Sequence, residues 1–489
     1  MDAVLRIVKN SIVLMGGQAY AIAVNLVTLG IIARYLPLGT FGDYGFILAI
    51  SMTFMVLTDM GGTRISIREM ARDLGRAQEI FAVTLVLRLA LSVLSFATII
   101  LVVRLTSDSP AVHHASYLAA LATVVYIVGD ISGAVFMAYE RMEFVALVQL
   151  VTETLYLAGI GAVVAYDLGL EGIFMALLLS YVARLLLGLA LVAGSFFWPR
   201  PFWDLQLLGW ILREGIPIGI NRLLRKASFR VDTILLQLLR TREEVGIFHG
   251  VYRLVLVALF VPRMITDALF PFFARHAVDS PAAMRFALEK SFKFLLILVL
   301  PAILVVSLLA QPIVVLILGR PFGEAAPLLR LFSLLWGVTF FSVLCNKVLN
   351  AANHQTRATV AVAACLAVNV VLDLILIPRL GYMGAAIATL AAETVLLVLG
   401  GYFVARYVCP LPAARVTARP LGAIGAAIVV AYALSGQPAL IVLAASVSAY
   451  VLILLLCRTF EEDELSVLKT LGQTARYRFG RTVRPRLSR

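Results

Sequence analysis

Apolar residues run along this chain in stretches longer than the core helices of a water-soluble domain. A helix needs roughly 20 such residues to cross about 30 Å of hydrocarbon. Read that way, the pattern predicts fourteen spans: 8–34, 40–60, 79–103, 112–138, 144–166, 171–197, 208–239, 245–272, 292–311, 325–349, 357–378, 382–405, 416–434 and 438–457. Ser435-Gly436-Gln437-Pro438 supplies the turn that separates the last two. Asp43 and Asp59 stand near the ends of the second span, and the seventh and eighth carry many charges. Met1 to Lys9 is a short, weakly basic start, and the apolar run from Ile12 is long enough to span, so insertion without cleavage is expected.

The chain also resembles itself at an offset of 204–212 residues. Phe41-Gly42-Asp43-Tyr44-Gly45, between spans 1 and 2, matches Val245-Gly246-Ile247-Phe248-His249, between spans 7 and 8. Leu168-Gly169-Leu170-Glu171-Gly172, before span 6, matches Leu380-Gly381-Tyr382-Met383-Gly384, before span 12. Each half then holds six spans. Six is even, so both halves enter the membrane the same way, as two parallel bundles around a central cavity, which is a transporter layout. The expected organisation is a bundle over 1–200, a second over 201–410, two additional spans over 411–457 and a basic cytoplasmic tail over 458–489. The fold class is an all-α polytopic membrane protein.

Composition narrows the class further. Hydrophobic residues make up 62% and charged residues 14% of the chain, against about 45–50% and about 25% in soluble domains. Disorder, collagen-like repeats and a secreted disulfide scaffold are excluded. The net charge of +13 would suggest nucleic acid in a soluble protein. Here the membrane places the basic residues first, and no nucleic-acid partner is expected. With the N-terminus inside, twenty-six Lys and Arg fall on inner segments, six on outer segments and nine within spans. The bias puts both termini in the cytoplasm, with the basic tail beside membrane lipids. Cys345, Cys365, Cys409 and Cys457 are well separated and read as small apolar residues. No Walker A, HExxH or nucleophile-elbow pattern occurs, and neither metal nor cofactor is expected. The short outer loops leave little to hold catalytic groups on that face.

The nine intramembrane cations are Arg88, Arg184, Arg222, Arg225, Lys226, Arg230, Arg253, Arg263 and Arg330. A charge facing lipid at the midplane costs roughly 2.5–3.5 kcal/mol on insertion scales. Most of the nine must therefore face protein or water. On a continuous span 7, Arg222, Lys226 and Arg230 lie at about 0°, 40° and 80°, with Arg225 at about −60°. Arg253, Arg263, His249 and Asp267 form a narrow polar stripe on span 8. Arginines can pair with acids on other spans, or they can line an aqueous cavity for an anion, and guanidinium suits phosphate. The candidate lumen set is Arg222, Arg225, Lys226, Arg230, Arg253, Arg263, Arg184 and Arg88. Asp130, Glu153, Asp373 and Glu393 are intramembrane acids that can couple to an ion or pair with those arginines. Pro217 is expected to kink span 7.

Ala33-Arg34-Tyr35-Leu36 with Phe41-Gly42-Asp43-Tyr44-Gly45 resembles the opening signature of bacterial polysaccharide flippases. These are the lipid-linked oligosaccharide translocases of the multidrug/oligosaccharidyl-lipid/polysaccharide (MOP) superfamily. Asp59-Met60-Gly61-Gly62 with Arg68-Glu69-Met70-Ala71-Arg72 is similar to their second-span exit, and Arg230-Val231-Asp232 with Tyr252-Arg253-Leu254 to their span 7–8 region. Leu36-Pro37-Leu38-Gly39 replaces their usual Leu-Gly-Pro order. The resemblance implies a MATE-like fold with two extra helices, alternating access, and an undecaprenyl-pyrophosphate-linked glycan moved between leaflets of a bacterial inner membrane. It implies a transporter and not an enzyme, with other polysaccharide-assembly proteins as possible partners. The alternatives are a MATE-type antiporter, a lipid II flippase, or a membrane glycan polymerase or ligase. The positive cavity, the extra spans and the short outer loops oppose the first and the last.

Overall fold

The computed structural model describes residues 2–457 and 459 apart from 229, 412 and 413, and omits the side chains of 2–9, 11, 57, 217, 218, 221, 222, 268, 271, 277–279, 281, 414 and 415. The basic tail, the side chains of Arg222 and Pro217, and the kink expected from that proline therefore lie outside the described residues. Every regular element described is helical. The N-terminal half runs through α1 (Asp2–Tyr35), α2 (Leu38–Asp59), α3 (Gly62–Arg72), α4 (Ala77–Thr106), α5 (Pro110–Ala138), α6 (Met142–Ala165) and α7 (Gly169–Ser195). The C-terminal half runs through α8 (Leu205–Ser228), α9 (Val231–Leu239), α10 (Arg242–Ala258), α11 (Phe260–Asp279), α12 (Pro281–Leu308), α13 (Ala310–Ile317), α14 (Ala326–Ala351), α15 (Gln355–Leu380) and α16 (Tyr382–Tyr407). The added pair is α17 (Ala414–Ala433) and α18 (Ala439–Leu456), which packs on α12 through Ala423, Ala427 and Tyr450 against Leu304.

Among the described residues, thirteen helical stretches are long and apolar enough to cross a membrane. The one expected span missing from them is the seventh. At 24 residues α8 is long enough, about 36 Å at 1.5 Å per residue, but Arg213, Glu214, Arg222, Arg225 and Lys226 make it too polar. The span is also not one helix. It stops at Ser228 and restarts at Val231, with Arg230 in a non-helical conformation (φ −132°, ψ −19°). The wheel angle expected for Arg230 therefore fails, because no continuous helix connects it to Lys226. The eighth span likewise turns at Leu259, whose N–H reaches back to the carbonyl of Leu256 at 3.2 Å. Pro262 falls in the first turn of α11, where its missing N–H costs nothing. The segment after span 2, expected as loop, is the amphipathic α3, which buries Ile65 and Met70.

The repeat seen in the sequence is real in three dimensions. Gly169 and Gly381 both take a positive φ (62° and 58°) where α7 and α16 begin, which glycine adopts without a side-chain clash. The other pair pack directly on each other. A Cβ on Gly246 would sit 2.6 Å from the Leu38 carbonyl oxygen and 3.2 Å from the Gly42 nitrogen. One on Gly42 would strike the Arg242 carbonyl and come within 3.1 Å of the Gly246 nitrogen. Two backbones can approach this closely only where both residues lack side chains. The contact is locked by Arg242–Asp43 at 3.3 Å, by Arg34 donating to the Leu316 carbonyl, and by the Phe41 ring set edge-on against Phe322 at 5.4 Å. The halves are thus sealed together at the face where α1 ends.

Gly246→Val should force α2 and α10 apart without touching a charge. A cysteine placed at Tyr44 should be protected from an impermeant thiol reagent added at the sealed face, and should become reactive there in the Gly246→Val background. Continued protection would show that the glycine contact does not seal that face.

Candidate substrate cavity

Below the sealed face the halves diverge around a cavity of about 900 Å³. It extends from Tyr44 on α2 and Ala119 on α5 towards Leu14, Met15, Met137 and Val145, near the opposite face. Its two walls differ in chemistry. The C-terminal wall carries Lys226 on α8, Arg253 on α10, and Arg263 and Asp267 on α11. The N-terminal wall carries Tyr126 and Thr123 on α5, Gln149, Glu153 and Tyr156 on α6, and Tyr181 and Arg184 on α7.

These positions follow from helical periodicity. Gln149, Thr152, Glu153 and Tyr156 are spaced i, i+3, i+4, i+7, which puts them on one face of α6. Leu177, Ser180, Tyr181 and Arg184 repeat the spacing on α7. Within the N-terminal wall, Arg184 donates to Asp130 Oδ1 at 2.7 Å and lies over the Tyr126 ring at 4.9 Å. Tyr126 and Tyr181 sit with centroids 4.8 Å apart. Glu153 Oε2 accepts from Asn25 at 2.9 Å. On the opposite wall Asp267 is ion-paired with Lys347 of α14.

The eight expected lumen cations divide. Lys226, Arg253, Arg263 and Arg184 line the cavity. Arg230, at the break between α8 and α9, reaches from behind the wall and donates to Met52 Sδ at 3.1 Å, and Met52 itself faces the cavity. Arg88 is not brought to the lumen. It is 3% exposed and donates to the Ile127 carbonyl at 2.7 Å, to Thr63 Oγ1 at 2.5 Å and to Asp59 at 3.3 Å. It therefore ties α4 to α5 and to the junction of α2 with α3. Arg225 faces away, into a separate small space inside the C-terminal half lined by Ser342, Cys365 and Glu393. A shift of only −60° from Arg222 was enough to send it there. Arg330 is exposed and donates to the Ser307 carbonyl at 3.2 Å.

The four acids also separate. Asp130 is the partner of Arg184, and Glu153 faces the cavity. Glu393 accepts from Ser342 at 3.1 Å. Asp373 is fully buried beside Asp232, which is 0% exposed and accepts from Asn369 Nδ2 at 2.8 Å. Both oxygens of Asp373, Oδ2 of Asp232 and Oδ1 of Asn369 have no donor. Sequence reading missed Asp232 and Asn369, although Asn369 and Asp373 are four apart on α15 and so share a face. It missed the tyrosines and amides too, because only charges were scored inside spans.

Fold and cavity together define a class: an all-helical, multi-pass membrane protein whose two halves enclose a shared cavity. Over 91% of this chain and 99% of the other, the structure superposes on the lipid II flippase MurJ in an inward closed conformation, with a TM-score of 0.76 at 12% identity. It also matches an inward-facing multidrug-resistance MATE transporter of the MOP superfamily (TM-score 0.69, 15% identity, 83% of this chain and 98% of that one). A model of the family described as polysaccharide biosynthesis protein matches residues 7–277, more than half the chain, and the chain belongs to that family. Among curated proteins it is similar to the probable flippase AglR of Haloferax volcanii, 27% identical over 278 residues. That match spans 56% of each chain, so the similarity covers little more than half the relative's length.

In a background freed of the four native cysteines, cysteines at Lys226 and Arg253 should react with a water-soluble thiol reagent, while one at Leu224, packed among Ala361, Val362 and Leu396, should not. Equal protection of all three would place the cations in dry protein.

Proposed function

We propose that this chain moves a polyprenyl-pyrophosphate-linked oligosaccharide across the cytoplasmic membrane by alternating access, for the assembly of a surface glycan. The observation that carries the reading is the C-terminal wall, where Lys226, Arg253 and Arg263 converge on one cavity between the two halves. A pyrophosphate bears several charges that hydrocarbon will not accept. Fixed guanidinium groups replace the water it loses, and several moderate contacts keep binding reversible. The family assignment supports a role in polysaccharide biosynthesis, and the similarity to a probable flippase supports translocation. AglR comes from an archaeon, so the proposal covers polyprenyl carriers in general, with undecaprenyl the form used in a bacterial inner membrane. In the orientation given by the charge bias, both termini are cytoplasmic. The sealed face is then the outer one, and the cavity reaches towards the side where substrate is made.

Arg253→Gln should abolish glycan export while the protein accumulates in the membrane at its normal level. Arg253→Lys should restore part of it, since the charge is kept and the planar fork is lost. Normal export by the Gln variant would remove the basis of the reading.

The energy for net movement is assigned to Asp373 and its neighbour Asp232. Two buried carboxylates with no cation beside them among the described residues share a proton or hold a small cation. That exchange, on α9 and α15, sits next to the break that carries Arg230. Asp373→Asn should leave downhill exchange of substrate across proteoliposomes intact and remove its acceleration by a proton or sodium gradient. A variant that still responds to both gradients would exclude Asp373 from coupling.

A further inference from the structure

The cationic wall accounts for only one side of the cavity. The facing wall is rich in groups that the phosphate reading leaves unused, and its charge is of a different kind. Its one arginine, Arg184, is held at 2.7 Å by Asp130 and lies on the Tyr126 ring. Its remaining charged side chain is the carboxyl of Glu153, with Asn25 donating to one oxygen. The rest of its polar lining is amide, hydroxyl and aromatic, set among apolar side chains such as Leu14, Met15, Met137 and Val145. Tyr126 and Tyr181 form a tilted pair at 4.8 Å and 57°. Gln149 stands one turn before Glu153 on the same face of α6. Tyr156, only 7% exposed, backs the wall beside Tyr44.

We propose that this N-terminal wall is a subsite for uncharged sugar, so that the glycan carried by this chain is neutral and its negative charge is confined to the lipid-linked phosphates. The assignment rests on the lipid-phosphate reading of the opposite wall. A pyranose has an apolar C–H face and a rim of hydroxyls. The rings of Tyr126 and Tyr181 offer a platform to the first. Glu153 and Gln149 offer acceptors and a donor to the second. An acidic sugar gains nothing here, because Arg184 is already neutralised by Asp130 and the sugar's carboxylate would meet that of Glu153. Like charges in contact repel more strongly in a protein cavity than in water. The volume agrees with a short head group. About 900 Å³ is near the top of the roughly 300–1,000 Å³ range of small-ligand sites, enough for a pyrophosphate with a few sugars and too little for a polymer.

The test uses the full-length chain in lipid nanodiscs, with binding followed by calorimetry. The probes are a water-soluble short-chain prenyl pyrophosphate, the same lipid carrying a disaccharide of N-acetylglucosamine, and the same lipid carrying a disaccharide that ends in glucuronic acid. The neutral conjugate should bind about tenfold more tightly than the bare lipid, as expected for one or two aromatic and hydrogen-bonding contacts. The uronic acid conjugate should gain nothing over the bare lipid. Tyr181→Ala should erase the gain from neutral sugar, and Tyr181→Phe should keep most of it. Glu153→Gln, nearly isosteric, should let the uronic acid conjugate approach the neutral one. All three variants should bind the bare lipid as wild type does, which shows that they are folded. Equal affinity for the two conjugates in the wild-type protein overturns the neutral-sugar subsite. It leaves the phosphate reading standing as long as the bare lipid binds and Arg253→Gln weakens it. Failure of the bare lipid to bind, or indifference to Arg253→Gln, overturns the phosphate reading and the sugar subsite with it.

Discussion

A charged side chain cannot be left against hydrocarbon, and this constraint organises the interior of the protein. Each intramembrane cation whose side chain is described has one of a few ways out. Arg88 is taken up by a carbonyl, a hydroxyl and Asp59 deep between helices. Arg184 is divided between Asp130 and the face of Tyr126. Arg330 uses a carbonyl of the neighbouring helix. Arg253 and Arg263 instead face a shared space between the halves. Pairing each of them with a buried acid would also have satisfied the membrane. Facing them into one cavity keeps their charge available to something that enters it.

The same cavity depends on where the halves are allowed to touch. Gly42 and Gly246 let α2 and α10 meet backbone to backbone, and the ion pair of Arg242 with Asp43 lies at that contact. Away from it the helices splay, and the space between them is the cavity. The closing contact is made by the duplicated segment itself, one copy from each half. A contact of that kind is pseudo-symmetric: each glycine sits against the backbone of the other's turn. Breaking it also parts the Arg242–Asp43 ion pair and the Phe41–Phe322 ring contact.

The sequence made some of this legible and hid the rest for physical reasons. Hydropathy found the spans because hydrocarbon thickness fixes their length, and the glycine motifs gave the repeat because close approach tolerates no other residue. Charge alone picked out Lys226, Arg253, Arg263 and Arg184. It could not distinguish these from Arg88 and Arg225, whose fate depends on Asp59, Thr63 and Glu393, partners distant in sequence. Helical periodicity failed for Arg230 because it assumes a continuous helix, and the chain breaks between Ser228 and Val231. Asp232 was passed over for the same reason, since its importance comes from meeting Asp373 and Asn369 across three-dimensional space. The stripe Gln149, Thr152, Glu153, Tyr156 was readable at i, i+3, i+4, i+7 and shows that neutral polar residues inside spans carry as much information as charged ones.

Placing the two walls on different halves has a mechanical consequence. A ligand held by phosphate on α8, α10 and α11 and by sugar on α5, α6 and α7 bridges the two bodies that alternating access must move. In the conformation seen here, the halves are joined beyond Tyr44 and again where Gly215 and Gly219 of α8 meet Met60 at the end of α2, with the cavity between them, so both walls can be engaged at once. Opening the glycine contact would swing α2 away from α10 and change the spacing between the walls. The phosphate and sugar contacts could then no longer both be satisfied. Affinity earned by bridging would fall in the state where release is required, without any single contact having to be weak. A cavity with all its cations and all its sugar contacts on one half would travel with that half and hold its ligand equally in both states, and a transporter so built would bind without discharging.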